Sequence, residues 1–428
     1  MSKLSKNDIA WQQIFDKYDI IEKVQQNGQF EITATAIKGI SGREARLMAK
    51  FDNRANLPRL FQKYHLSILP ITRGSYVIAP FETYQDFPTD MHGVETIYIQ
   101  FPEHIESIDP NNITSETAAV NSAFLSGILA NFIDDDEELI PTVNGRMSSN
   151  SFSFKINNVL TKKQMPIYVQ NSQIEIDVAY EGVSTLSLIE VKNNIADDFL
   201  VRQLYYPYRR WQEQLRKQVK TIFVVYTNNS FFLYEYIFNS IDDYNSVKLN
   251  KMRKYCFEPL DIGITDIEKI ISNTCVMSEP TNAPFPQADS FARVINLCEL
   301  LQEDSLTKEE ITINYDFDMR QTDYYFNAGK YLGLFELSNE QICLTETATK
   351  ILTLAPRAKQ LEFVKLIMQH APFRMVLEKH LKTSQPPTKE EVIEIMKMCN
   401  LNRIGDKTYE RRSSTVIAWV NWILDLAR

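Results

Sequence analysis

Residues 173–192 read QIEIDVAYEGVSTLSLIEVK. Ile174, Ile176 and Val178 alternate with Gln173, Glu175 and Asp177, the period of a half-buried strand. A turn over Glu181–Thr185, containing Gly182, leads into LSLIEVK. There the same alternation sets Glu190 and Lys192 on one face and Val191 on the other. The stretch predicts an antiparallel pair that holds Asp177, Glu190 and Lys192 together. Glu190-Val191-Lys192 is the only acidic-x-Lys triplet in the chain.

Those residue types suit phosphodiester hydrolysis. Asp177 and Glu190 offer hard oxygen donors for Mg²⁺, which keeps several waters and takes one or two carboxylates. The backbone carbonyl of Val191 is a further candidate ligand. A bound metal lowers the pKa of its water, and Lys192 is placed to hold that water and stabilise charge developing on phosphate. A cross-strand salt bridge on an exposed sheet face is the competing reading of the three residues.

The next segment, VRQLYYPYRRWQEQLRKQVK, is helical in pattern with a break expected at Pro207. Gln203 is a candidate supporting residue, as is Glu175 on the first strand. Arg202, Arg209, Arg210, Arg216, Lys217 and Lys220 against Glu213 give a local balance of +5. With Tyr205, Tyr206, Tyr208 and Trp211 interleaved, this reads either as a nucleic-acid surface or as a helix with an aromatic core face. Upstream, Glu116 opens a helix from about Thr114 and is either a supporting carboxylate or a dipole partner. Gly145-Arg146 and the neighbouring serines read as a phosphate-touching hairpin or a polar turn.

A second basic stretch lies near the start. Lys38, Arg43, Arg46, Lys50, Arg54, Arg59 and Lys63 against Glu44 and Asp52 give +5 between Lys38 and Lys63. The whole chain of 428 residues carries −9, so this charge opposes the global trend. Opposite DNA such residues release counterions; a solvated helix face is the alternative. Composition excludes a disordered, collagen-like or disulfide-stapled protein: 44% hydrophobic, 12 Gly, and five widely spaced Cys. The five His form no zinc spacing. MSKLSKNDIAWQQIF lacks a signal-peptide h-region, and no 18-residue apolar run exists, so a cytoplasmic location without membrane contact is expected.

Length predicts two to four domains at roughly 100–200 residues each. The boundaries read as 1–112, 113–262 and 263–428, the first bounded by the linker-like FPEHIESIDPNNITSET. The middle part alternates strands and helices, an α/β (α+β) pattern with a mixed central sheet. In the last part, ADSFARVINLCELLQ and MRQTDYYFNAGKYLGLFEL are helices, followed by a strand and largely helical sequence. That order is winged-helix-like. Arg320 and Gln321 fall on a candidate recognition helix, being side chains suited to guanine and adenine. Arg403, Lys407, Arg411 and Arg412 form a further basic cluster before TVIAWVNWIL, whose Trp419 and Trp422 read as core.

The Asp177 and Glu190-Val191-Lys192 pattern resembles the PD-(D/E)XK nuclease motif, with Ile176 where the literal Pro would stand. At the level of the chain, KGISGREARLMAKFDNRANLPRLF, LPITRGSYVIAPFETYQDF, NGRMSSNSFSFKI, RQLYYPYRRW, MRQTDYYFNAGKYLGL and RRSSTVIAWVNWIL resemble a family of prokaryotic type II restriction endonucleases. The resemblance covers most of residues 30–425. It implies an N-terminal DNA-contacting α+β domain, a PD-(D/E)XK catalytic core and a C-terminal winged-helix-like recognition domain. It also implies Mg²⁺-dependent double-strand breaks at a short site. The expected catalytic residues are Asp177, Glu190 and Lys192, with Asp177, Glu190 and Val191 at the metal. Expected DNA contacts are Lys38, Arg43, Arg46, Lys50, Arg54, Arg146, Arg209, Arg210, Arg320 and Gln321. Double-stranded DNA, a homodimer on a palindromic site and a cognate DNA methyltransferase as genetic partner follow from the same resemblance. A structure-specific repair or junction nuclease, and a non-catalytic winged-helix DNA-binding regulator, are the alternatives.

Overall fold

The computed structural model describes residues 5–88, 94–134, 138–315, 317, 319–399, 401 and 405–427; Arg403 of the C-terminal basic cluster lies outside them. The architecture is mixed α/β, with a mixed central sheet and a helical C-terminal region.

The chain opens with helices Lys6–Tyr18 and Ile20–Asn27, parted by Asp19 in the left-handed region. A three-stranded antiparallel sheet follows in the order Phe30–Thr33, Ser75–Ala79, Ser67–Pro70. Its core is aromatic: Trp11 meets Phe61 edge-on at 4.8 Å and donates its indole N–H to the Met48 carbonyl at 2.9 Å. This small unit is sewn to the rest by backbone and side chain. Leu200 N–H donates to the Asp52 carbonyl at 2.8 Å, and strand Tyr84–Asp86 pairs with Asp198–Leu200.

The central sheet has seven strands, in the order Thr96–Tyr98, Val247–Cys256, Ser230–Phe238, Gln218–Thr227, Thr185–Lys192, Gln173–Glu181, Ile140–Ser148. The chain therefore enters this sheet at residue 96, ahead of the helix at Glu116–Leu125. Two pairings are parallel, Thr185–Lys192 with Gln218–Thr227 and Val247–Cys256 with Thr96–Tyr98. The first of these needs a crossover, which helix Arg202–Gln212 supplies. Strand Thr185–Lys192 is buried along its length up to Val191, as a parallel central strand covered on both faces must be. Leu186 and Leu188 pack with Leu204, Tyr205 and Tyr206 on one side; Ile189 and Val191 pack with Ile128, Leu129 and Phe132 on the other.

The alternation predicted for Gln173–Glu181 breaks at the candidate site. Ile174 and Ile176 share one core layer, whereas Val178 packs in the opposite layer. The pairing with Ile140–Ser148 explains it. Val143 lies opposite Ala179, but Gly145, two residues on, lies opposite Ile176. The extra residue is a bulge: Asp177 and Val178 together stand opposite Asn144, next to Gly145 in its left-handed conformation. The expectation that Val178 shares a face with Ile174 and Ile176 is thus corrected. The predicted break at Pro207 is also absent: helix Arg202–Gln212 runs through it.

In the C-terminal region, helix Phe291–Leu300 leads to Leu306–Thr307, helix Lys308–Asn314, helix Met319–Tyr331 and the hairpin Phe335–Ser338/Gln341–Leu344. The three short strands pair in the order Leu306–Thr307, Gln341–Leu344, Phe335–Ser338. Asn339 and Glu340 both take positive φ at the hairpin tip, as a two-residue mirror-image turn requires. Five helices complete the chain, ending with Asp406–Asp425, on which Trp419 is fully buried and donates to the Ala288 carbonyl at 2.7 Å. Among the described residues no helix is long and apolar enough to cross a membrane.

Candidate active site

The two motif strands pair from Leu186 opposite Glu181 to Ile189 opposite Val178, then part. Where the ladder stops, the Asp177 carboxylate replaces it: Oδ2 accepts the Val191 N–H at 2.8 Å. The bulge matters here because it falls at Asp177–Val178, where the ladder to the second motif strand ends. The Val191 N–H is thus committed to Asp177, while its carbonyl is the group expected at a metal.

On the second strand, Lys192 Nζ donates to Glu190 Oε1 at 2.7 Å, and Gln203 Nε2 donates to the same oxygen at 2.6 Å. Gln203 opens the crossover helix, so the sheet and the helix converge on one carboxylate. Glu190 is buried, its side chain 11% exposed, and Lys192 is 23% exposed. Burial pushes the Glu190 carboxyl up to about 8, against the pull of Lys192 and with repulsion from Asp177. Burial disfavours the charge on Lys192, yet Glu190, Glu116, Asp177 and Asp52 together hold its ammonium above the ordinary lysine range. Glu116, first residue of its helix behind the Ser115 cap, is likewise raised by burial, with Lys192 pulling it down and Asp177 adding repulsion. The structure therefore brings together Asp177, Glu190, Lys192, Gln203 and Glu116, from two strands and two helices.

Two residues join them that local pattern does not disclose. Lys50 and Asp52 come from the N-terminal unit, 3.3 Å apart, within electrostatic reach of Glu116. The loop after the motif is held from the C-terminal region. Asn296, fully buried, accepts the Ile195 N–H at 3.0 Å and donates to the Asn193 carbonyl at 2.8 Å. Arg293 pairs with Asp197 at 2.7 Å.

The remaining predicted residues divide. Glu175 is held between Arg46 at 2.9 Å and Arg146 at 3.0 Å, so it balances two predicted DNA-facing cations and does not join the carboxylates of the site. Lys38 pairs with Glu44, Arg43 donates to Asn7, and Arg54 sits between Asp86 and Asp198 at 2.8 and 3.1 Å. Arg209 is buried. Its guanidinium reaches the Ser153 carbonyl at 2.7 Å, Glu213 at 2.6 Å and Asp242 at 3.1 Å, so its charge is committed to packing and is withdrawn from the surface. Arg210 donates to the Ser148 carbonyl and to Asn150 Oδ1 at 2.9 Å. Tyr205 and Tyr206 are fully buried, the core alternative of the helix reading. Arg320 is exposed and Gln321 half-buried on helix Met319–Tyr331, whose Thr322 and Tyr325 are buried.

For a Mg²⁺ ion the donor chemistry fits. Asp177, Glu190 and Glu116 are oxygen donors; Asp177 repels both of the others, and Lys192 offsets that repulsion at each. Among the described residues no three His, Cys, Asp or Glu side chains already converge as a closed metal shell. An ion that keeps its waters and takes one or two carboxylates plus substrate oxygens does not require one.

The chain matches three family models. They are Domain of unknown function (DUF6996) over residues 8–78, Domain of unknown function (DUF6997) over 79–256, which contains Asp177, Glu190 and Lys192, and Domain of unknown function (DUF7226) over 293–428. No curated protein and no solved structure matches the chain.

Proposed function

We propose that the protein is a Mg²⁺-dependent endonuclease of the PD-(D/E)XK type that makes double-strand breaks in DNA at a short specific sequence, as type II restriction endonucleases do. The single observation that carries this reading is the meeting of Asp177, Glu190 and Lys192 where the motif strands part, with Gln203 bonded to Glu190. A surface salt bridge would not need a bulge, a buried carboxylate and a helix-borne amide around it. The mixed sheet with helices on both faces supports the core that the sequence resemblance implies. The helix–strand–helix–helix–hairpin order over 291–344 supports a winged helix, with Met319–Tyr331 as its reading helix.

Asp177 and Glu190 would hold the ion, with Glu116 adding negative charge behind them. When bound, Mg²⁺ acidifies a water and neutralises charge on the phosphate. Lys192 orients the attacking water and stabilises the charge that develops on the phosphate oxygens. Gln203 fixes the Glu190 carboxylate, leaving its second oxygen available. Asp177 is fixed by the Val191 amide, so neither acid must reorganise when substrate arrives.

A palindromic site presents two bonds, so a homodimer on DNA is the geometry this function takes, and a cognate methyltransferase would protect the host's own sites. The test is full-length protein with phage DNA and Mg²⁺, followed by sequencing of the ends. Ends sharing one short sequence are expected. DNA binding without cutting would replace the reading with a winged-helix regulator. Cutting confined to branched DNA would replace it with a junction nuclease.

A further inference from the structure

Beside the candidate site lies a cleft of about 180 Å³ between the N-terminal unit and the first motif strand. Four cations border it, Arg46, Lys50, Arg73 and Arg202, and its one acid is Glu175. Arg46 is paired with Glu175 and Lys50 with Asp52. Arg73 and Arg202 have no carboxylate partner among the described residues. In a chain of net charge −9, a cleft with this balance is a local reversal. Nearby unlike charges would ordinarily neutralise it, and here they do so only in part.

A second, independent feature sits in the same cleft. Ser172 lines it, is fully buried, and its hydroxyl has no hydrogen-bond partner. Leaving a buried hydroxyl unmatched is unfavourable, so an acceptor at this position is favoured. Ser172 sits in the turn just ahead of the first motif strand. Glu175, on the cleft wall, is two residues from Asp177 along that strand, a separation of about 7 Å. That separation is comparable to one step between neighbouring phosphates of a nucleic-acid strand.

We propose that this cleft is a phosphate subsite, in which Arg73, Arg202 and Ser172 hold a nucleic-acid phosphate next to the one at Asp177, Glu190 and Lys192. It rests on the nuclease reading above. The phosphate is either an internal diester of the duplex or a terminal monoester; both present the same oxygens to the same guanidinium groups. Arg73 reaches the cleft from the turn after Ser67–Pro70, and Arg202 from the first residue of the crossover helix. The site is thus complete only when the N-terminal unit and the central sheet are docked.

The experiment measures binding of the full chain to short duplexes by fluorescence anisotropy in EDTA, across a salt series, so that cutting plays no part. Arg73→Gln and Arg202→Gln are each expected to weaken binding and to reduce the slope of log K against log salt by about 1. Lys350→Gln, an exposed residue of helix Glu346–Leu352 that does not line the cleft, serves as the control and keeps the wild-type slope. If the phosphate is internal, the loss is the same with or without a terminal phosphate on the duplex. If it is terminal, wild type prefers the phosphorylated duplex and the two variants lose that preference. Wild-type slopes in both variants, with wild-type melting temperatures, would overturn the subsite. A melting-temperature rise with inorganic phosphate, seen in wild type and absent in Arg202→Gln, without DNA binding by either, would leave the subsite standing and remove the nuclease reading. Neither effect in any protein would remove both.

Discussion

Replacing Lys192 by Ala is the sharpest perturbation of the candidate site. Its ammonium lies 2.7 Å from Glu190 Oε1 and is the strongest attractive charge on both Glu190 and Glu116, which Asp177 repels. Loss of one preorganised donor to developing charge costs about 3–4 kcal/mol of barrier, a factor on the order of 10²–10³. Loss of the water's positioning adds to that factor, so cutting is expected to fall by at least about 10³-fold. The ground state changes too. Without Lys192, the Glu190 carboxyl, already raised by burial to about 8, holds its proton to still higher pH. The rise of activity with pH in the variant is therefore expected to be displaced to higher pH than in wild type. Stability falls by about 1–3 kcal/mol, the range for a charged hydrogen bond, and less where solvent screens the 23% exposed lysine. The assay is plasmid linearisation in Mg²⁺ set beside anisotropy binding in EDTA. Cutting is expected to collapse while affinity changes less than about tenfold. A variant that cuts at the wild-type rate, or one whose binding and cutting fall by the same factor, would refute the catalytic assignment.

Other expectations follow from single contacts. Asn296→Ala releases the loop after Lys192 and is expected to lower the cutting rate with little change in duplex affinity; an unchanged rate would show that the loop holds its own shape. Arg320→Ala on the proposed reading helix is expected to cost about 1–3 kcal/mol at the cognate site and to relax discrimination there. Equal losses on cognate and random duplexes would mark Arg320 as a phosphate contact. Gly329→Ala would bring a Cβ to 2.0 Å from the buried Phe335 ring, so a stability loss of about 1–3 kcal/mol is expected by denaturant titration, and an unchanged midpoint would contradict the packing. Glu299 joins helix Phe291–Leu300 to the turn at Thr227 and Asn228, and burial, opposed by those hydrogen bonds, raises its pKa. A raised folded pKa means stability that is complete below the unfolded carboxylate range and is lost as pH rises through the folded value. The stability difference between wild type and Glu299→Ala is thus expected to grow as pH falls; a difference that shrinks on acidification would reverse the sign of the argument.

Local pattern carried much of the site. Period-2 alternation placed both motif strands, and the turn between them, because one buried face imposes that period on any strand. The Glu190 and Lys192 pairing followed, since alternation on an unbroken strand admits no other arrangement. Gln203 was reachable because it opens the next helix in the chain. The bulge was not legible. It arises from the pairing of Asp177–Val178 with a strand some thirty residues earlier, around the left-handed Gly145, and it reverses the face on which Val178 packs. Charge counting reached its limit at Arg209, which looks like its neighbours in a list of bases but is buried among carbonyl groups and acids.

The amino-acid order alone thus determined most of the elements, their periods and the three residue types of the candidate site, because these depend on neighbours within a few positions. Only the tertiary structure decided which of the acids share a pocket, which cations face solvent and which are neutralised. Those outcomes depend on distance and burial between segments far apart in the chain. Lys50 and Asp52 near Glu116, Asn296 on the loop after Lys192, and Arg73 and Arg202 around Ser172 are all meetings of that kind. Electrostatic energy falls with separation and rises as water is excluded, so the same charge has a different chemical character in each of these places.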